Sequence, residues 1–154
     1  MKHLIPEFEK LRERFPAGFE SSLVLPCVRR IQEDRGYVAD TDIVELAQYL
    51  GIPQIQIEEV LSFYTMFRRK PIGRWHLQFC HNVSCSMNGA ESILAHVERR
   101  LGIKPGETTP DGRFTLSHAE CLGSCGTAPM MMVNQAYHEN LTPATVDALL
   151  EELK

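Results

Sequence analysis

The chain has 154 residues, 44% of them hydrophobic and 23% charged, and its net charge is −4 at pH 7. This length allows one large domain or two small ones, with a hydrophobic core large enough to fold without disulfides or a structural metal. A mildly acidic chain does not suit a nucleic-acid surface, so we expect no nucleic-acid partner. No apolar run approaches the length that spans a bilayer, so we expect membrane association only through a partner or an assembled complex.

The first part of the chain carries the apolar periodicity of helices. We predict four of them, which cover residues 1–15, about 26–36, about 42–51 and about 53–67. Asp42 and Glu45 have the spacing of a capping-box-like pair at the start of the third helix. We therefore assign residues 1–72 to an N-terminal helical domain, built as a small bundle.

Two features of this helical part allow both a structural and a functional interpretation. We interpret the basic run 68–70 as the solvated end of the fourth helix, where cations suit the negative end of the helix dipole. The alternative is a docking patch for an acidic partner. Cys27 lies among Val24, Val28 and Ile31 at helical spacing. We therefore interpret it as a buried apolar residue and not as a metal ligand.

A change of periodicity after Pro71 and Gly73 indicates a second domain, residues 73–154. Alternating stretches predict strands over residues 75–79, 113–117, 129–133 and 136–138. Helices are predicted over about 87–101 and from Pro143, with Thr142 as the cap of the last one. The predicted fold class is therefore α/β (α+β), with a small helical bundle followed by a mixed domain.

Four of the five cysteines stand in two pairs that are separated by 35 residues. Each pair follows a predicted strand: Cys80 and Cys85 come after the first, Cys121 and Cys125 after the second. Disulfides, a four-thiolate zinc site and an iron–sulfur cluster all fit such pairs. No signal peptide is recognisable, so we expect a reducing compartment in which thiols remain free.

Spacing separates the two metal sites only in part. Structural zinc sites have two to four residues inside each cysteine pair, and the gaps of four and three residues here fall in that range. A two-residue gap is the commoner choice for zinc, whereas a four-residue gap recurs in plant-type [2Fe–2S] proteins. The pattern favours an iron–sulfur cluster, with zinc as the alternative.

The residues around the pairs also favour an anionic cluster. Gly123 and Gly126 flank Cys125, so backbone N–H groups can approach bridging sulfides without a Cβ in the way. A helical period follows Cys85, and a helix that begins just beyond this cysteine would point its positive end at the site. A Rieske-type centre needs two histidine ligands, so we expect His81 at the edge of the cluster and not on an iron.

These segments are similar to one known family. Its most specific marks are the Cys80–Cys85 pair and the segment Cys121-Leu-Gly-Ser-Cys-Gly-Thr-Ala-Pro129. Further similar stretches are 31–37, 63–67, 102–112, 132–134 and 137–143. The chain resembles the NuoE-type subunit, the small [2Fe–2S] subunit in the NADH-oxidising module of respiratory NADH:quinone oxidoreductase (complex I). The similarity extends over nearly the whole sequence.

That resemblance implies a thioredoxin-like [2Fe–2S] ferredoxin domain over residues 73–154. It also implies that Cys80 and Cys85 bind one iron of the cluster and that Cys121 and Cys125 bind the other. The cluster is expected to exchange single electrons with the flavin of a partner subunit. The chain is then part of an NADH dehydrogenase, and no catalytic residue of its own is expected.

The resemblance further implies partners and a location. FMN and NADH belong to a flavin- and NADH-binding subunit, further iron–sulfur subunits accompany it, and the complex lies at the cytoplasmic, inner face of the membrane.

None of the ten glycines forms a Gly-x-Gly pair, so the common dinucleotide fingerprint is missing here. The alternatives are the equivalent subunit of an NAD-linked hydrogenase or formate dehydrogenase, and a zinc-stapled thioredoxin-like interaction module. Thioredoxin-like folds often have a cis proline where Ala128–Pro129 stands.

Overall fold

In a computed structural model, residues 1–153 are described and form seven α-helices and four β-strands. The helices are α1 (Ile5–Arg12), α2 (Val24–Arg35), α3 (Asp40–Leu50), α4 (Gln54–Phe63), α5 (Val83–Met87), α6 (Ala90–Leu101) and α7 (Pro143–Glu152). The strands are β1 (Trp75–Cys80), β2 (Phe114–Ala119), β3 (Met131–Val133) and β4 (Ala136–His138). Two compact units result, one spanning Met1–Pro71 and the other beginning at Ile72. None of the described helices is long and apolar enough to cross a membrane.

The first unit is a helical bundle with a core of its own. Apolar residues three or four positions apart turn one face of each helix inward. The buried ones include Phe8, Leu23, Val28, Leu46 and Ile57. Cys27 is fully buried among them, and burial raises the pKa of its thiol to about 12. The prediction that Cys27 is a buried apolar residue is confirmed.

The fourth helix ends earlier than predicted, at Phe63 and not at Phe67. Tyr64 takes an extended conformation with ψ near 100°. A helix continued to Phe67 would place its ring on the same face as Phe63, four residues earlier. Phe63 is 77% exposed, however, whereas Phe67 is only 7% exposed. The end of the helix at Phe63 lets Phe67 enter the core, which a continuous helix would prevent.

The basic run 68–70 consequently lies outside the described helices, so its interpretation as a helix end is wrong. Arg69 forms ion pairs with Asp40 in α3 and with Glu58 in α4. The backbone of Arg68 also contributes, because its carbonyl accepts a 2.7 Å hydrogen bond from the N–H of Val38. The run therefore closes the bundle through contacts to other elements.

The start of α3 also differs from the prediction. The helix begins at Asp40, so Asp42 is its third residue. The buried Asp42 carboxylate accepts the backbone N–H of Ala39 at 2.9 Å and the Nη1 of Arg35 at 2.8 Å. The predicted pair of Asp42 with Glu45 is therefore wrong, because Asp42 itself satisfies an N–H at the helix start that has no partner inside the helix.

The second unit is built on a four-stranded sheet in the order β2–β1–β3–β4. β1 is parallel to β2, whereas β3 is antiparallel to β1 and β4. The sheet shares one core with α6 and α7, and its buried residues include Leu77, Val97, Leu116, Met131 and Val146. All four predicted strands are present, with ends shifted by up to two residues. The last helix begins at Pro143 with Thr142 as its cap, and the Ala128–Pro129 peptide is cis, both as predicted.

The single helix predicted over residues 87–101 is in fact two helices. The Asn82 side chain accepts the N–H of Val83 at 2.9 Å and caps α5, so Cys85 lies inside a helix. Gly89 then adopts a left-handed conformation, with φ at 87°, and separates α5 from α6. The helix that was predicted to begin just beyond Cys85 therefore begins later, at Ala90, and a separate short helix contains Cys85.

Candidate metal centre

The ends of two parallel strands bring the cysteine pairs together. Cys80 is the last residue of β1 and is in register with Ala119, the last residue of β2. The N–H of His81 extends this pairing with a 3.2 Å hydrogen bond to the Ala119 carbonyl. Cys121 follows Ala119 by two residues. Neighbouring parallel strands end at the same edge of a sheet, so thiols from distant parts of the sequence become neighbours.

The two pairs differ in exposure. Cys80 and Cys85 are buried, at 3% and 1% exposure, on β1 and α5. Cys121 and Cys125 are exposed and lie on the surface segment 121–129, which we call the ligand loop. One side of the cysteine site is therefore closed by the protein, and the other side is open.

The two glycines of the ligand loop have different roles. Gly123 has a φ of 80°, a conformation that side-chain-bearing residues rarely adopt. Gly126 lies outside that region, and no described atom comes within 4 Å of the position its Cβ would take. The backbone conformation therefore favours glycine at position 123 and not at position 126.

Packing and one hydrogen bond bring the four cysteines to one place. Cys80 and Cys85 lie in one buried cluster with Leu122, the neighbour of Cys121, and the Ser84 hydroxyl beside Cys85 donates to the carbonyl of Cys125 at 2.8 Å. The four cysteines that the sequence singled out are thus brought together by the fold. Cys27 belongs to the other unit, and all five cysteines are free thiols.

Backbone N–H groups surround the buried pair. Burial by itself raises the pKa of Cys80, but the N–H groups of Asn82 and Leu122 and the neighbouring thiols outweigh it, so this pKa lies below its ordinary value. The pKa of Cys85 is raised by burial and by the contact with Cys80, and these two effects exceed the lowering of the pKa by the N–H of Met130. N–H groups that point at sulfur favour negative charge at the site.

The donor set fits an iron–sulfur cluster. Thiolates are soft ligands that suit such clusters and zinc. A two-iron cluster takes two protein thiolates at each iron. The two cysteine pairs match that requirement, and backbone N–H groups lie beside the sulfurs of the buried pair.

His81 lies beside the cysteine site among polar side chains. Its ring centroid is 4.9 Å from that of His118, and its Nε2 is 3.4 Å from a carboxylate oxygen of Glu120. A cavity of about 250 Å³ next to Cys80 is lined in part by His81, His118 and Glu91. His81 therefore stands at the end of β1 with two neighbours on or just beyond β2.

Sequence reasoning missed the polar side chains that hold the ligand loop. The Ser84 hydroxyl donates to the carbonyl of Cys125 at 2.8 Å. The Glu139 carboxylate accepts hydrogen bonds from the hydroxyls of Ser124 and Thr127, which hold its pKa below the usual value. Periodicity assigns no role to exposed polar residues, and only the resemblance of stretch 137–143 drew attention to this part of the chain.

A comparison with known families accounts for this arrangement. The family model of the thioredoxin-like [2Fe-2S] ferredoxin matches residues 8–154. The chain belongs to this family. The predicted resemblance is confirmed, and so is the predicted fold class of a helical bundle followed by a thioredoxin-like ferredoxin domain.

Three relatives of this ferredoxin, all named as subunits of NADH-quinone oxidoreductases, are similar over most of their length. The relative from Rhizobium meliloti is 46% identical over 148 residues, which cover 96% of this chain and 87% of the relative. The relative from Thermus thermophilus is 38% identical, over 95% of this chain and 81% of the relative. The relative from Escherichia coli is 42% identical, over 84% of this chain and 78% of the relative.

A solved structure contains the same fold within a longer chain. The NAD⁺-reducing [NiFe]-hydrogenase in its air-oxidized state matches this ferredoxin with a TM-score of 0.73 and 25% identity. The match covers 84% of this chain and 22% of the hydrogenase chain. The H₂-reduced state of that enzyme matches with a TM-score of 0.72.

Proposed function

We propose that this chain is the electron-transfer subunit of the NADH-oxidising module of an NADH:quinone oxidoreductase and that it holds one [2Fe–2S] cluster. Cys80 and Cys85 would bind one iron, and Cys121 and Cys125 the other. The observation that carries the proposal is the placement of the two pairs: Cys80 ends β1, and Cys121 stands two residues beyond the end of its parallel neighbour β2. Relatives at 38–46% identity that are named as subunits of such enzymes support it.

The residues of the chain provide the environment that such a cluster needs. When bound, a [2Fe–2S] cluster takes up and returns one electron. The buried Cys80 and Cys85 keep water away from one side of the site. The N–H groups of Asn82, Leu122 and Met130 point at these sulfurs and make added negative charge less costly. Electron exchange needs no proton transfer, so this chain needs no acid or base of its own.

FMN and NADH are proposed to lie on a partner subunit, whose flavin would exchange single electrons with the [2Fe–2S] cluster of this chain. The absence of any Gly-x-Gly pair among the ten glycines supports a partner site for both cofactors. The exposed Cys121 and Cys125 leave one side of the site accessible to the partner's flavin. Further iron–sulfur subunits are proposed as neighbours in the same complex, which would hold the chain at the cytoplasmic, inner face of the membrane.

A second candidate is the equivalent subunit of an NAD-linked hydrogenase, which the structural match with a TM-score of 0.73 favours. Sequence identity favours the quinone enzyme, at 46% for the Rhizobium meliloti relative against 25% for the hydrogenase. The proteins that co-purify with the chain discriminate between the two: a hydrogenase brings a [NiFe] subunit and hydrogen uptake, and the proposed enzyme brings quinone reduction.

The first experiment is anaerobic purification with metal and sulfide analysis. We expect two irons and two sulfides per chain, a red-brown colour, and an electron paramagnetic resonance signal that appears on reduction. A zinc site would give a colourless protein with one zinc and no such signal. That result would overturn the proposal in favour of a zinc-stapled module.

The second experiment tests whether the partner is needed. The purified chain should neither reduce ferricyanide with NADH nor bind NADH in a calorimetric titration. Activity should appear when a flavin-bearing partner is co-expressed and co-purifies. Turnover by the chain alone, or micromolar NADH binding, would contradict the assignment as a subunit without a nucleotide site.

A further inference from the structure

The ligand loop is held from one side by the chain segment 137–141, which we call the clamp. Four of the clamp's five residues make hydrogen bonds to the ligand loop. Tyr137 Oη donates to the Leu122 carbonyl at 2.7 Å, and the Glu139 carboxylate accepts from the hydroxyls of Ser124 and Thr127. The backbone N–H groups of Asn140 and Leu141 donate to the carbonyls of Thr127 and Pro129, at 2.8 Å and 2.9 Å. Two of these contacts use backbone atoms alone, so the side chains of Tyr137 and Glu139 supply the rest.

The bonded positions of the ligand loop are the neighbours of the two exposed cysteines. Leu122 directly follows Cys121, and Ser124 directly precedes Cys125. One oxygen of the Glu139 carboxylate receives both the Ser124 and the Thr127 hydroxyl, the latter at 2.6 Å. A single side chain therefore spans the turn that carries Cys125.

The clamp is itself fixed to the sheet. β4 pairs with β3 through Met131↔His138, Met132↔Tyr137 and Val133↔Ala136. β3 in turn pairs with β1, the strand that ends at Cys80. The exposed cysteines are thus tied through Glu139 and Tyr137 to the sheet that carries the buried cysteines.

We propose that Glu139, assisted by Tyr137, is a positioning residue that fixes Cys121 and Cys125 and thereby determines how firmly the cluster is retained. This inference rests on the proposed function, because it concerns the ligands of the proposed cluster. Glu139 acts through the hydroxyls of the ligand loop and not through a contact with sulfur. Outer-shell hydrogen-bond partners of metal ligands typically change metal affinity about 10–100-fold when they are removed.

The chemistry of the contact specifies which substitutions are informative. Glu139 accepts hydrogen bonds from two hydroxyls, so a glutamine keeps the length and an acceptor oxygen but loses the charge. An alanine loses both. If the clamp works by position, Glu139→Gln should resemble the wild type, and only Glu139→Ala should release the ligand loop. If the exposed charge matters instead, both variants should behave alike.

The experiment uses the full chain, anaerobically loaded with its cluster, and follows bleaching of the visible absorption in excess iron chelator. We expect Glu139→Ala to lose the cluster about 10-fold faster or more, and Glu139→Gln to stay within about 3-fold of wild type. The electron paramagnetic resonance signal of reduced Glu139→Ala should be broadened, because Cys121 and Cys125 sample more than one geometry. Glu120→Ala is the matched control, since it removes an exposed carboxylate next to Cys121 that faces His81 and not the clamp.

Substitutions of the donors Ser124 and Thr127 provide a second test, which remains usable if the Glu139 variant folds poorly. Thr127→Val and Ser124→Ala remove the two donors and should each accelerate release. Combined with Glu139→Ala their effects should be clearly less than additive, because each change breaks a contact to Glu139, although Thr127→Val and Ser124→Ala also remove the 2.8 Å bond between the two hydroxyls. A Glu139→Ala rate equal to wild type, a Glu139→Gln rate equal to that of Glu139→Ala, or additive effects would overturn the proposal.

Failure of the proposed function gives a different result. Zinc in place of iron and sulfide would overturn the cluster assignment and leave the clamp to be tested on zinc. The same variants would then be compared by the rate of zinc transfer to a chromophoric chelator, with the same order of rates expected.

Discussion

The hydroxyl of Ser84 donates a 2.8 Å hydrogen bond to the carbonyl oxygen of Cys125. Ser84 directly precedes Cys85 on α5, so this bond joins the segment of the buried pair to the segment of the exposed pair. It is a side-chain link between the two halves of the site, and it lies on the side of the ligand loop that carries α5.

Removal of this link should loosen the site without removing a ligand. A hydrogen bond of this kind contributes about 1 kcal/mol, so Ser84→Ala should release the cluster roughly 5-fold faster to a chelator. Ser86→Ala is the control, because the Ser86 hydroxyl bonds to Glu91 and not to the ligand loop. Equal rates for the two variants would show that the link between Ser84 and Cys125 has no role in retention.

Replacement of any one of Cys80, Cys85, Cys121 and Cys125 by alanine should abolish or severely deplete the cluster, since each iron needs two protein thiolates. Visible absorption and iron content per chain measure the loss. Cys27→Ala serves as the control and should keep the full spectrum, because Cys27 is buried in the other unit. Loss of the visible spectrum in Cys27→Ala, together with its retention in Cys125→Ala, would refute the ligand set.

Gly123→Ala should weaken the ligand loop, because its φ of 80° is unfavourable for a residue with a Cβ by about 1 kcal/mol or more. Faster loss of the cluster in air, with unchanged iron stoichiometry at the start, is the expected result. Gly126→Ala should resemble wild type, since its φ lies outside the left-handed region and the backbone there can carry a Cβ without strain. The reverse order of oxygen sensitivity would mean that close approach at Gly126 matters more than the turn at Gly123.

Arg35→Ala should destabilise the helical unit by about 1–2 kcal/mol, because it leaves the buried Asp42 carboxylate without its cationic partner. Urea unfolding followed by far-ultraviolet circular dichroism measures the change. Arg29→Ala removes an exposed pair with Glu33 at 3.0 Å and should cost about 0–0.5 kcal/mol. Similar losses in both variants would indicate that the burial of Asp42 is not what makes its partner important.

The pKa of Cys27 predicts an alkaline loss of stability. Burial raises this pKa from 9.0 to about 12, so the folded chain holds the thiol proton more tightly than the unfolded chain. The resulting stabilisation is fully present below pH 9 and is lost as the pH rises from 9 towards 12. The free energy of unfolding should therefore fall more steeply over this range in wild type than in Cys27→Ala. Parallel pH profiles would contradict the assigned shift.

The elements that depend on periodic apolar residues could be predicted from the sequence. The strand that leads to Cys80 and the final helix from Pro143 are where they were expected, and the four cysteines converge as their positions after strands implied. These features follow from local periodicity and from the way parallel strands end at one edge.

The errors arose where one tertiary contact or one cap outweighed a local pattern. The burial of Phe67 ends α4 at Phe63, although the periodicity continues. The Asn82 cap starts α5 before Cys85, where the apolar periodicity had not yet begun. The role of Glu139 could not be predicted at all, because a polar residue on the surface has no periodicity and its partners are distant in sequence.

The parallel register of β1 and β2 has a consequence for how such chains can vary. Cys80 ends one strand and Cys121 stands two residues beyond the end of its neighbour, so the strand pairing brings them close whatever the length of the chain between them. The connection from Cys85 to β2, which includes α6 and the turn at Gly102, contains no further cysteine. Insertions in the exposed turns of that connection, outside α6, should be tolerated, whereas one residue added inside either cysteine pair should not be. The 35-residue separation of the pairs is then an incidental length, and a search for remote relatives should leave it free.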